Sequence, residues 1–113
     1  MPPLHHGKNV LIDSRKLTDY LLNINHREGG PKAAFLAEFD YGPDNAELLE
    51  AALREHALLA SATPTFHTKY GRKFETLGPL RTPDGRNPVV RVEWQYDNGS
   101  NRPRPVTRVP GSL

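Results

Sequence analysis

The sequence predicts one α+β domain, with about three amino-terminal helices packed on a carboxyl-terminal antiparallel β-meander of about four strands. Three observations predict it. Apolar residues before Ala60 recur at the three- and four-residue spacing of a helical stripe. From Ala62 the period drops to two, as in a strand with one face buried. Turn signals then separate short runs at Pro83-Asp84-Gly85-Arg86 and Asp97-Asn98-Gly99-Ser100. A length of 113 residues fits one core and leaves no room for a second.

The elements follow in order. Asn9 to Ile12 is an apolar entry, and Asp13 or Ser14 is an N-cap for a helix to about Leu22, with Leu17, Tyr20, Leu21 and Ile24 as its stripe. The polar segment Asn23 to Gly30 ends it. Pro31, whose missing N–H is no loss in a first turn, opens a second helix to Phe39 with Phe35, Leu36 and Phe39 inward. After the turn Tyr41-Gly42-Pro43, Asp44 or Asn45 caps a third helix to about Ala60. Its stripe is Ala46, Leu49, Leu53, Ala57 and Ala60, and Asp44 with Glu47 has capping-box spacing.

Thr63 to Lys69 and Tyr70 to Leu80 read as two strands or one bent strand, with Gly71 and Gly78 as bulge or turn points. In Val89 to Tyr96, Val90, Val92, Trp94 and Tyr96 share one face and Arg91, Glu93 and Gln95 the other. Pro105 to Val109 closes the sheet on an edge, because its prolines cannot donate to a ladder. Residues 1–8 and 111–113 are expected to fray.

Composition removes several function classes. There are no cysteines, which excludes disulfides, thiolate metal sites and cysteine nucleophiles. No apolar run approaches the roughly 18 residues of a membrane span. No apolar stretch follows Met1 to Lys8 as a secretory signal requires, so the expected place is the cytoplasm, or a target-cell cytoplasm reached as the tip of a longer toxin. No P-loop, zinc-protease helix or Gly-x-Ser-x-Gly elbow is present. Net charge is +2, but the last third is rich in arginine, including Arg72, Arg91 and Arg104 with Lys73 beside them. Such a sheet suggests a face able to hold phosphates.

Candidate chemistry centres on few residues. His26 and Lys32 flank a helix start, where N–H groups and the helix dipole favour anions. An imidazole there exchanges protons near neutral pH and an ammonium steadies negative charge. Arg91, opposite the core residues of its strand, is a phosphate clamp or the cross-strand partner of Glu75. Thr107 is a candidate donor on the last strand. Tyr70 joins the set only if a bulge turns it, and His67 is expected on the opposite side from it. Lys16, Arg72, Lys73 and Arg104 are the candidate substrate contacts. His56 falls on the stripe of the third helix and reads as half-buried structure, the His5–His6 pair as a weak metal site, and Trp94 as core.

The order of these motifs resembles a known family. Arg15-Lys16-Leu17-Thr18-Asp19-Tyr20-Leu21-Leu22-Asn23, His26, Gly29 or Gly30 and Lys32-Ala33-Ala34-Phe35 carry the resemblance. So do Tyr70-Gly71, Val90-Arg91-Val92-Glu93-Trp94 and Arg104-Pro105-Val106-Thr107. Over about residues 9 to 110 the chain resembles short bacterial domains found alone and at the carboxyl ends of polymorphic toxins, similar to the barnase–EndoU–colicin–RelE (BECR) ribonucleases. The resemblance implies cofactor- and metal-independent cleavage of RNA, tRNA included, and a cognate immunity protein or antitoxin. It casts His26, Lys32, Arg91 and Thr107 as the catalytic set. Thr107-Arg108-Val109-Pro110 stands where the family runs Thr-Ala-Tyr-Pro. That keeps a second reading open, a degenerate BECR-like domain that binds RNA or protein.

Overall fold

The structure, a computed structural model, describes residues 9–27 and 30–106 apart from the Tyr20 side chain. Thr107, the His5–His6 pair, Gly29 and the ends expected to fray lie outside the described residues.

Asp13 starts the first helix as expected: its backbone is extended and its carboxylate accepts the Arg15 N–H at 2.9 Å. The helix α1 (Ser14–Lys16) then loosens into a π-helical stretch, Leu17–Leu21. The wider turn brings Leu17, Leu21 and Leu22 together into the core. Ile24 leaves the stripe and is 63% exposed, because the Asn23 side chain accepts the Asn25 N–H and turns the chain away. Helix α2 (Gly30–Ala37) buries Ala33 and Leu36. The expected inward Phe35 is instead exposed, its ring 5.1 Å from that of Phe39.

A 3₁₀ turn, Pro43–Asn45, leads into α3 (Ala46–Leu59). Here Asn45 closes the helix start by accepting the Gly42 N–H at 2.8 Å, in place of the expected Asp44–Glu47 box. Leu49, Ala52, Leu53, His56 and Ala57 form the buried stripe.

Five strands make one antiparallel sheet: β1 (Ser61–Ala62), β2 (Phe66–Thr68), β3 (Gly71–Pro79), β4 (Val89–Asp97) and β5 (Arg104–Val106), in the order β1-β3-β4-β5 with β2 also on β3. Of the first expected strand, Thr63 to Lys69, only Phe66–Thr68 pairs with β3; Ser61–Ala62 is a separate strand before it, and Pro64, which has no N–H to give a ladder, lies between the two. Thr63 bridges the gap, its N–H donating to Glu75 O and its Oγ1 accepting the Glu75 N–H, both at 2.9 Å. Gly71 makes no bulge. It stands at φ +134 where a Cβ would lie 1.9 Å from Tyr96 O, so the β2–β3 hairpin closes only on glycine. The turns at Gly85 and Asp97–Ser100 form as read from the sequence.

Phe74, Val90, Val92, Trp94 and Tyr96 turn one face of the sheet to Leu17, Leu21, Leu36, Leu49 and Leu53 of the helical layer. His56, expected half-buried, is only 2% exposed. Its Nδ1–H donates to Pro79 O at 3.2 Å, and its Nε2 accepts the Thr76 hydroxyl at 2.8 Å. Thr76 Oγ1 in turn accepts the Trp94 indole N–H at 2.9 Å. Burial pushes the imidazole pKa below its ordinary value, so the neutral form belongs to the folded state. No helix among the described residues is long and apolar enough to cross a membrane.

Candidate functional site

The helical layer holds two of the sequence candidates. His26 sits in a tight turn: its N–H donates to Asn23 O at 3.0 Å, and the Gly30 N–H returns to His26 O at 2.8 Å. A Cβ on Gly30 would lie 2.7 Å from Ile24 O, so the loop winds closely on the start of α2. Lys32 is half-buried there, and desolvation pushes its pKa below the ordinary lysine value.

Arg91 belongs elsewhere. Alternation on β4 turns it to the sheet face away from the helices, its Nε 3.8 Å from Glu75 Oε2. The cross-strand partner named from the sequence is therefore the one observed. Of the set expected to share a groove, His26 and Lys32 belong to the loop and first turn of α2 and Arg91 to the outward face of β4. Thr107 lies outside the described residues. Tyr70 is exposed at the tip of the β2–β3 hairpin, with the Lys69 ammonium 5.0 Å from its ring centroid.

Of the candidate substrate contacts, Arg72 takes the core-side parity and lies over the Tyr96 ring at 4.6 Å. His67 pairs with Arg72 and shares that parity. Lys73 and Arg104 join Arg91 on the far face, in the row Phe66, Lys73, Gln95, Arg104. The next row is Glu75, Glu93, Val106, and the next Leu77, Arg91. Among the described residues no helix packs on these rows.

Two ion pairs organise this face. Lys73 Nζ is 3.1 Å from Glu93 Oε1, and Arg104 grips Asp97 with two bonds, 2.8 and 3.1 Å long. Arg104, aided by the Gln95 amide and the charge of Lys16, holds the Asp97 carboxyl below its ordinary pKa. Lys16 and Arg104 also line a cavity of about 270 Å³ between α1 and β5, walled by Leu11, Leu17, Leu21 and Pro105. Glu93 is the unexpected member. It faces away from the core, yet is only 6% exposed.

Glu75, Glu93 and Gln95 were not candidates from the sequence. Alternation placed Arg91, Glu93 and Gln95 on one face, but only the β3–β4 register brings Lys73 and Glu75 beside them. No cluster of histidine and carboxylate side chains fit for a metal ion occurs among the described residues.

Residues 4–112 match the family described as a domain of unknown function, DUF6883. The chain belongs to that family. No curated protein and no solved structure matches the chain. For this DUF6883 domain the site therefore rests on its own geometry: a helix-free sheet face where Lys73, Arg91 and Arg104 alternate with Glu75, Glu93 and Asp97.

Proposed function

We propose that this DUF6883 domain is a toxin-type endoribonuclease that takes RNA on the helix-free face of its sheet and cleaves it by attack of the 2′-hydroxyl. One observation carries the reading: the β3–β4–β5 register that lines up Lys73, Arg91, Arg104 and Gln95 with Glu75 and Glu93. RNA contains its own nucleophile, so cleavage needs a proton acceptor, a proton donor and cations for the crowded phosphorane. That face contains all three kinds of group on rigid strands. The similarity to BECR ribonucleases supports the same chemistry, without metal or cofactor, in a cytoplasm and under control of an immunity protein or antitoxin.

The cations of this face are balanced by carboxylates, Arg91 by Glu75 and Arg104 by Asp97. RNA must exchange these ion pairs for phosphate contacts. The attraction is therefore modest, with log K falling by about 0.7 per contacted phosphate for each unit of log salt.

The test is direct. Purified protein incubated with RNA in EDTA should yield fragments ending in 2′,3′-cyclic phosphate, and its expression without a partner should arrest the host. Intact RNA and harmless high-level expression would sink the reading. His26→Ala assigns the loop: a fall of about 10²–10⁴ in rate makes His26 a proton carrier, and an unchanged rate leaves the chemistry on the sheet.

A second reading has its own support. Arg91 and Arg104 are already ion-paired, to Glu75 and Asp97. A degenerate BECR-like domain that binds RNA or protein without cutting would show that arrangement. Salt-sensitive RNA binding with no cleavage selects it.

A further inference from the structure

Residue Glu93 calls for an explanation that sheet packing does not supply. Outward positions on an antiparallel sheet are ordinarily solvated, but this carboxylate is 6% exposed while its neighbour Arg91 has a side chain 52% exposed. Glu75 stands directly across on β3 and Val106 across on β5. Two carboxylates opposite each other repel unless cations intervene. Lys73 reaches diagonally to Glu93 at 3.1 Å, and Arg91 reaches diagonally to Glu75 at 3.8 Å.

Stability is a poor reason for such a pair. Taking two charges out of water costs about as much as their attraction returns, and apolar residues of the same volume do as well or better. What the pair does provide is a proton acceptor and a proton donor in contact, sheltered from water, on a rigid surface flanked by guanidinium groups.

We propose that Glu93 and Lys73 are the coupled proton acceptor and donor of RNA cleavage, an assignment that rests on the ribonuclease reading above. Glu93 accepts the proton of the 2′-hydroxyl as O2′ attacks phosphorus. The O2′–P bond forms and the P–O5′ bond breaks. Lys73 gives an ammonium proton to the departing O5′. The proton gained by Glu93 then passes to Lys73 across their contact, restoring both groups. The products are a 2′,3′-cyclic phosphate and a 5′-hydroxyl, and no proton is gained or lost overall. Arg91, two residues before Glu93 on the same face, holds the non-bridging oxygens. Lys73, on a flexible stem with its side chain 21% exposed, can swing aside from Glu93 for a ribose.

The experiment compares the wild-type chain, Glu93→Gln and Lys73→Gln for folding by circular dichroism, RNA binding, and cleavage of a fluorophore–quencher oligoribonucleotide across pH. Glu93→Gln should bind within about threefold of wild type, and in both variants the maximal rate should fall by about 10²–10⁴. The acidic limb of the pH–rate profile should vanish in Glu93→Gln and the alkaline limb in Lys73→Gln. A folded Glu93→Gln that cuts at the wild-type rate overturns the assignment. Should that variant fail to fold, Lys73→Gln decides: wild-type cleavage with both limbs intact overturns it equally. Cleavage surviving both changes removes only this pair, whereas wild-type protein that binds RNA without cutting it removes the ribonuclease reading itself.

Discussion

Trp94 and Glu93 are neighbours on β4, both nearly buried, and they are buried for opposite reasons. Trp94 is 0% exposed because it turns to the helical layer, its ring stacked 6.4 Å from Phe74 and its indole N–H satisfied by Thr76. Glu93 turns to the opposite face, where its carboxylate is held 3.1 Å from the Lys73 ammonium. Burial of the first kind drives folding, since removing apolar area from water is worth about 25 cal/mol per Å². Burial of the second kind opposes it unless a counter-charge is held close. One sheet thus has a face made by the hydrophobic effect and a face made by charge register.

Substitutions on the two faces should separate these roles. The largest effect belongs to the core: Trp94→Ala should cost about 3–5 kcal/mol, read from the urea midpoint, because it leaves a cavity and removes the indole donor from the Thr76 hydroxyl. A loss under about 1 kcal/mol would mean the helical layer is not packed on this face as described. On the far face, the double change Lys73→Met with Glu93→Leu should keep stability within about 1 kcal/mol of wild type, as buried ion pairs replaced by apolar isosteres commonly do. RNA cleavage should disappear in the same protein. If the urea midpoint collapses while cleavage survives, the pair is structural and the contrast between the faces fails.

Acid should act through the core face. The His56 pKa is lowered in the folded protein relative to about 6.5 in the unfolded chain, so the unfolded state binds the extra proton first. Stability is complete above the unfolded value and falls as pH drops through it toward the folded value. The slope in that window reaches at most about 1.4 kcal/mol per pH unit. Thermal midpoints between pH 7.5 and 5 should show the decline, and His56→Gln should flatten it. An equal decline in that variant would place the acid sensitivity elsewhere.

The smallest effect is electrostatic. Arg91→Ala should make the salt dependence of RNA binding shallower by about 0.7 in log–log slope, the loss of one phosphate contact. Arg72→Ala, on the core-side parity over Tyr96, should leave the slope unchanged. Equal changes in both would put RNA somewhere other than the helix-free face.

Much of the architecture was legible because it depends on local patterning. The Asp13 cap, the stripe of α3 through Leu49, Leu53 and Ala57, the Gly85 and Gly99 turns and the alternation of β4 all follow from neighbours in sequence. The misreadings arose where distant contacts decide. Phe35 fits an inward spacing but yields to Ala33 and Leu36, which meet the core first. The run Thr63 to Lys69 shortens to Phe66–Thr68 and a separate strand forms at Ser61–Ala62, with Pro64 between them unable to donate to β3. Gly71, read as a bulge or turn point, closes the β2–β3 turn, and why it must be glycine is decided by the distant Tyr96 O.

The site was less legible than the fold. The sequence joined His26 and Lys32 through one loop, and the structure keeps them in one segment; it set Arg91 beside Glu75, and they pair. Which side of the sheet each group serves was not visible, since a loop in the helical half gives no parity relative to a later strand.

The sequence alone determined the period of each segment, and hence the α+β class, the buried stripes of α3 and β4 and the polar parity of Arg91, Glu93 and Gln95. These are properties of chains a few residues long, set by sterics and burial. Only the tertiary structure decided that Lys73 meets Glu93 and that His56 disappears beneath Thr76 and Pro79. Such pairings depend on strand register and on helix docking, where one residue of slip would exchange every partner.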